Sequence, residues 1–188
     1  CSSDLGARIP ARDFWLEVLG GGGVCACCAA FGGETAQAAL TFAVLGILTV
    51  VAFMDIDTLE IYDRFPALLL VCGAAAQFVF PGPGIKSRLL GCVIVSLPML
   101  LLALVVPGGF GGGDIKLMFG AGFFLGARLT VVAAFLGILL GGGFGALLLA
   151  AKKADRKTRF AFGPFLCIGI AAAMFFGERL ADWYIGLL

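Results

Sequence analysis

The sequence predicts an all-α fold, a polytopic transmembrane helix bundle of about seven spans. Three observations predict it. Of 188 residues, 61% are hydrophobic and only 13% charged. A water-soluble domain carries about a quarter charged residues, so this chain has too little polar surface to cover a water-facing globule. Apolar runs near the roughly 20 residues that cross a bilayer recur along most of its length. Lysine and arginine gather in one set of the loops between those runs, the bias that orients membrane proteins.

Taken in order, the first span is Phe14–Phe31, which carries Glu17 and the run Gly20–Gly23. That run lacks the lysine and hydroxyl of a phosphate-binding loop and reads as helix packing. Ala36–Met54 is a long apolar run closed by acidic residues. Phe65–Phe80 and Leu89–Val106 follow, the latter with Pro98 inside, where a bundle tolerates a kink. Ile115–Leu125 is short for a crossing; such a segment is re-entrant or shielded by its neighbours. Leu129–Ala151 carries Gly137, Gly141 and Gly145 at every fourth position, a face that lets helices approach closely. Phe160–Phe176 is the last span, and the tail Glu178–Leu188 holds Trp183 and Tyr184 for the membrane interface. There is no internal repeat and no soluble second domain.

With seven spans and a cytoplasmic N-terminus, the inside face receives Arg8, Arg12, Arg64, Lys116, Lys152, Lys153, Arg156, Lys157 and Arg159. The outside face receives Lys86, Arg88, Arg128 and Arg179, so nine of the 13 basic residues lie inside. "KKADRKTR" is the clearest anchor. Net charge is +1, and no basic run is interleaved with aromatics, which excludes nucleic acid as a partner. The absence of histidine excludes histidine triads and histidine-ligated zinc. Cys25, Cys27, Cys28, Cys72, Cys92 and Cys167 lie within apolar runs and read as small hydrophobes rather than a disulfide or metal framework. The chain begins at Cys1 without a signal-peptide pattern and reads as a fragment that lacks an upstream piece.

Two acids stand out. Asp55 directly follows a long apolar run in "FMDIDTLEIYDRF". Asp114 directly precedes another in "VVPGGFGGGDIKLMFG". Both fall just inside the cytoplasmic boundary, facing the bundle. Ionisable groups at membrane depth are costly unless paired or hydrated, which makes each a functional hypothesis. Two carboxylates sharing one site cannot both ionise easily. The pair then holds one proton between them: the ionised member takes a proton from water while the other polarises a carbonyl. The glycines before Asp114 let backbone bend and an extended substrate strand lie close. The plainer reading makes each Asp a helix cap or interfacial charge. Asp57, Glu60 and Asp63 read as a solvated acidic loop. Lys116 is either a snorkelling side chain or the neutraliser of a nearby carboxylate. A proton- or cation-coupled transporter would also use such acids, but no acid lies near the middle of a long span.

These same residues resemble a known family. "GGGDIKL" (Gly111–Leu117) is similar to the GxGD motif of type IV prepilin peptidases, membrane aspartic proteases. "DIDTLEIYDRF" resembles the family's first motif, with Ile61 and Asp63 at its later positions and Tyr62 where the family usually has Pro. "FAFGPFLCIGI" (Phe160–Ile170) resembles the closing segment, and "CSSDLGARIPARDFWLEVL" the second Cys-x-x-Cys region and the run into the next helix. The resemblance implies an enzyme of the bacterial cytoplasmic membrane that faces the cytoplasm. It would cut the basic leader from prepilins and pseudopilins, at a bond that usually follows glycine and precedes a hydrophobic stretch. Preflagellin-type peptidases share the core motifs. Asp55 and Asp114 would be the catalytic pair, with Gly111, Gly113, Lys116, Ile61 and Asp63 binding substrate or supporting the pair. Residues 1–13 would be the remnant of a cytoplasmic cysteine-rich loop and 14–35 an N-terminal span with its outer loop. Residues 36–188 would be the six-helix peptidase core. Many bacterial members also methylate the new N-terminus with S-adenosylmethionine, using that loop. Of its second cysteine pair only Cys1 is present, with Asp4 in the other place. The expectation is therefore proteolysis without a cofactor and no zinc site, with S-adenosylmethionine entering only if methyl transfer is retained.

Overall fold

Long apolar runs fold as helices here because backbone in hydrocarbon has to satisfy its own hydrogen bonds. The structure, a computed structural model, describes residues 20–27, 29–30, 34–80, 82–105, 111–151 and 161–186. Its helices are α1 (Thr35–Thr58), α2 (Arg64–Val79), α3 (Ile85–Ile94), α4 (Ser96–Val105), α5 (Gly112–Leu125), α6 (Ala127–Ala150) and α7 (Gly163–Ile185). Residues 20–27 ahead of them are also helical, and the described residues contain no strand. Among the described residues, four stretches are long and apolar enough to cross a membrane: α1, α3 with α4 (Ile85–Val105), α6 over Ala127–Leu147, and α7. Helix α2 is apolar but shorter, at 16 residues.

Several expected boundaries move. The fourth span starts at Ile85, four residues before its apolar run, so Lys86, Ser87 and Arg88 lie inside a helix rather than in an outer loop. The last span continues to Ile185, which places Trp183 and Tyr184 on its final turns rather than in a separate tail. The break between α3 and α4 at Val95 is the kink expected of Pro98, which has no N–H to return to the Ile94 carbonyl. Residues 1–13, Cys28 and the basic segment 152–159 lie outside the described residues.

Helix α5 is the short segment of the expectation, and its neighbours shield it. Its 14 residues reach about 21 Å at 1.5 Å per residue, against a hydrocarbon core of about 30 Å. It packs against α2, α3, α4, α6 and α7 and buries Asp114, Leu117, Met118, Ala121, Phe124 and Leu125. Val44, Leu48 and Val51 of α1, Leu69 of α2, Met99 of α4 and Leu166 and Ile170 of α7 complete the core around it. The outer surface is apolar as well, with Phe78 90% exposed and Leu104 72%. A surface of that kind belongs against lipid. Gly137 and Gly141 of α6 do sit against α7: a Cβ at Gly137 would lie 2.9 Å from Leu166, and one at Gly141 2.5 Å from the Phe162 ring.

The far end of α5 is closed by Arg88, which is only 1% exposed. Its guanidinium donates to the carbonyls of Phe124 (2.7 Å), Phe123 (3.1 Å) and Gly73 (3.4 Å), and its Nε to that of Pro83 (3.2 Å). The last carbonyls of a helix have no partner within it and carry the negative end of its dipole. A buried cation therefore caps α5. Ser87 Oγ accepts the Ala127 N–H (3.2 Å) at the start of α6, so two adjacent residues of α3 serve one corner.

Candidate active site

Asp55 lies in the last turn of α1 and is 6% exposed. One of its carboxylate oxygens, Oδ2, accepts the backbone N–H of Gly163 at 2.8 Å. Gly163 opens α7, with Pro164 directly behind it in the first turn. A helix N-terminus presents unpaired N–H groups and the positive end of its dipole, which suits an anion. The approach leaves no room for a side chain: a Cβ on Gly163 would lie 2.7 Å from Asp55 Oδ2 and 3.2 Å from Asp55 Cβ. Helix α1 then ends on Leu59, whose φ of 55° is left-handed, a sparsely populated conformation for a leucine. The Thr58 hydroxyl donates to the Met54 carbonyl (2.9 Å) and accepts the Glu60 N–H (3.3 Å), which ties down the turn.

Asp114 lies in the first turn of α5, behind the extended Gly111, and is 7% exposed. It is part of the helix rather than its cap. The loop after α1 folds over this turn, so that Ile61 rests on Gly113; a Cβ there would meet Ile61 Cβ at 2.8 Å. That contact brings the two motifs together. Asp55, Asp114, residues 59–62 and Gly111–Gly113 line one cavity of about 260 Å³.

Of the residues expected at the site, Asp55, Asp114, Gly111, Gly113 and Ile61 share this cavity. Lys116 and Asp63 do not line it. They pair with each other at 2.6 Å on the exposed surface beside it, so Lys116 neutralises Asp63 and neither catalytic candidate. Glu60 and Asp63 lie exposed in the loop after α1, whereas Asp57 belongs to α1. Gly163 stood within the closing motif without a role. The signal was there: Gly-Pro at a helix start predicts exposed N–H groups, though not what they hold. Cys92 and Cys167 are buried in the bundle, as small hydrophobes would be. Among the described residues no three His, Cys, Asp or Glu side chains gather as metal ligands.

Comparisons with known proteins supply the family. The sequence profile of the type IV leader peptidase family matches residues 42–146, over half the chain. A prepilin leader peptidase/N-methyltransferase of Bacillus subtilis (strain 168) is 30% identical over 141 residues, 75% of this chain and 57% of that protein. The chain belongs to the type IV leader peptidase family. Two more relatives carry the same name. The one from Legionella pneumophila is 28% identical over 82% of this chain and 55% of its own length. The one from Aeromonas hydrophila is 26% identical over 98% of this chain and 64% of its own. The chain thus spans a little over half the length of these leader peptidases. No solved structure matches it. The matched region contains both acids and ends before Gly163, so the Asp55–Gly163 hydrogen bond joins the family region to the helix beyond it.

Proposed function

We propose that this chain is the catalytic core of a membrane aspartic endopeptidase that removes the basic leader of type IV prepilins or pseudopilins at the cytoplasmic face. One observation carries the reading: two buried carboxylates from separate helices open onto one small cavity. A single buried acid would suit a cap or a counter-ion. Two on one cavity suit a shared proton.

The dyad holds that proton as a unit. Its ionised member takes a proton from a water molecule, whose oxygen attacks the scissile carbonyl carbon. Its protonated member donates to the carbonyl oxygen. The tetrahedral intermediate then collapses, the C–N bond breaks, and a proton passes to the departing amine. Gly163 keeps one Asp55 oxygen occupied and so orients the carboxylate. The open backbone at Gly112, where a Cβ would meet nothing within 4 Å, gives an extended substrate room beside Asp114. Methyl transfer, the other half of the relatives' name, lies outside the proposal. Residues 1–13, the expected remnant of the family's loop for it, lie beyond the described residues, and no step is routed through S-adenosylmethionine or zinc.

The test is mass spectrometry of a prepilin incubated with wild type and with Asp55→Asn or Asp114→Asn. Wild type should release the leader, and each variant should lose cleavage by at least about a thousandfold while melting normally, because the proton exchange of the pair is gone. Near-normal cleavage by either variant would overturn the dyad.

A further inference from the structure

The loop after α1 presents a side chain that no described residue engages. Tyr62 lines the dyad cavity together with Asp55 and Asp114 and is 54% exposed. Its hydroxyl has no hydrogen-bond partner among the described residues. Its backbone, in contrast, is held from both sides. Ile61 before it rests on Gly113, and Asp63 after it pairs with Lys116 at 2.6 Å. The Tyr62 carbonyl accepts the Phe65 N–H at 3.1 Å. A tyrosine has only two side-chain torsions to order, so a fixed backbone makes it a pre-organised arm.

The chemistry of the cavity gives that arm a task. Among the described residues the lining consists of three acids (Asp55, Glu60 and Asp114), two aliphatic side chains, three glycines and Tyr62. An ionised carboxylate only accepts hydrogen bonds, whereas a phenol donates. Tyr62 is therefore the one neutral side-chain donor on the described lining. A peptide lying there brings N–H groups and carbonyls alike. The acids can take N–H groups, and the protonated acid of the dyad is committed to the scissile carbonyl. A neighbouring carbonyl needs another donor, because leaving it desolvated and unpaired is costly.

We infer that the Tyr62 hydroxyl donates to a backbone carbonyl of the substrate beside the scissile bond and so fixes the strand over the dyad. The inference rests on the proteolytic reading above. The proline that the family resemblance leads one to expect at position 62 has no such donor, so the contact is an addition of this sequence.

The test uses the full chain in detergent, a prepilin substrate and Tyr62→Phe, which removes only the hydroxyl. KM should rise about fivefold, the loss of one neutral hydrogen bond. The kcat should stay within about twofold, because the contact is the same in the ground state and the transition state. In the Asp114→Asn background, which binds without cutting, the Kd for the prepilin should rise by the same factor. That factor should be equal for substrates that differ in the side chains flanking the cut, since the backbone carbonyl is common to all. The melting temperature should not move, as the hydroxyl has no internal partner to lose. Wild type that cuts no prepilin would overturn the proteolytic reading and this inference with it. Active wild type with KM and Kd unchanged by Tyr62→Phe would overturn the inference alone. So would a lowered melting temperature, which would show the hydroxyl held within the protein, or a rise in KM confined to one flanking sequence, which would show a side-chain contact instead.

Discussion

Replacing Gly163 by alanine separates orientation of the dyad from its mere presence. The substitution keeps the N–H that Asp55 accepts. It adds a methyl group 2.7 Å from Asp55 Oδ2, 3.0 Å from Cγ and 3.2 Å from Cβ. Rotating the carboxylate clears the first contact but not the last, because Cβ is fixed to the α1 backbone. Either α7 retreats by several tenths of an ångström or Asp55 leaves its donor. The 2.8 Å bond then lengthens or breaks, and a hydrogen bond to a charged group is worth about 1.5–3 kcal/mol. At about 1.4 kcal/mol per tenfold in rate, kcat should fall about 10- to 100-fold. KM should stay within about twofold, because Gly163 does not line the dyad cavity. Crowding of this kind also costs about 1–3 kcal/mol of stability, so a melting curve must accompany the kinetics. Gly142→Ala is the control: a Cβ there meets nothing within 4 Å, and both activity and fold should be kept. A folded Gly163→Ala protein with wild-type kcat would refute the role given to the α7 N-terminus.

Three further outcomes follow from the same geometry. Gly113→Ala should slow cleavage by pushing Ile61 off α5, and adding Ile61→Gly, which removes the Cβ that the new methyl group meets at 2.8 Å, should restore part of the loss, since residues in contact are non-additive; strict additivity would disprove the contact. Arg88→Met should lower stability by about 3 kcal/mol or more, leaving several buried carbonyls without a donor, and Arg88→Lys should not rescue the melting temperature, because an ammonium cannot span the same acceptors. Lys116→Ala should change stability by less than about 1 kcal/mol, as an exposed ion pair is weak; a larger drop in the melt would show a part in the core that its 56% exposed side chain does not suggest.

The two acids of the cavity were legible because an acid beside an apolar run is anomalous by itself, whatever it touches. The same local contrast made the helices legible but misplaced their ends. Hydropathy marks where an apolar run stops, while the helix stops only where its hydrogen bonds do. Ile85–Arg88 and the stretch from Glu178 to Tyr184 are polar turns on helices that continue through them. Arg88 illustrates what pattern alone cannot reveal. Its partners are backbone carbonyls on α2, α5 and the turn before α3, and a carbonyl looks the same behind every residue type. Gly163 was hidden for a related reason, since its partner is 108 positions away and the pairing exists only once α7 lies beside α1.

Helix α5 draws these features together. It is too short to be anchored by lipid at both ends, so its height in the bundle is set by protein contacts. At one end the Arg88 guanidinium holds its last carbonyls. At the other, Ile61 lies on Gly113 and Lys116 reaches Asp63. Asp114 rides on that end, one turn in from Gly111. Asp55, meanwhile, is fixed from a third direction by α7. The distance between the two acids is therefore decided by the packing of three helices rather than by any one loop. A dyad built this way tolerates change in the loop sequence, including tyrosine at position 62, and is sensitive to small added volume where helices touch.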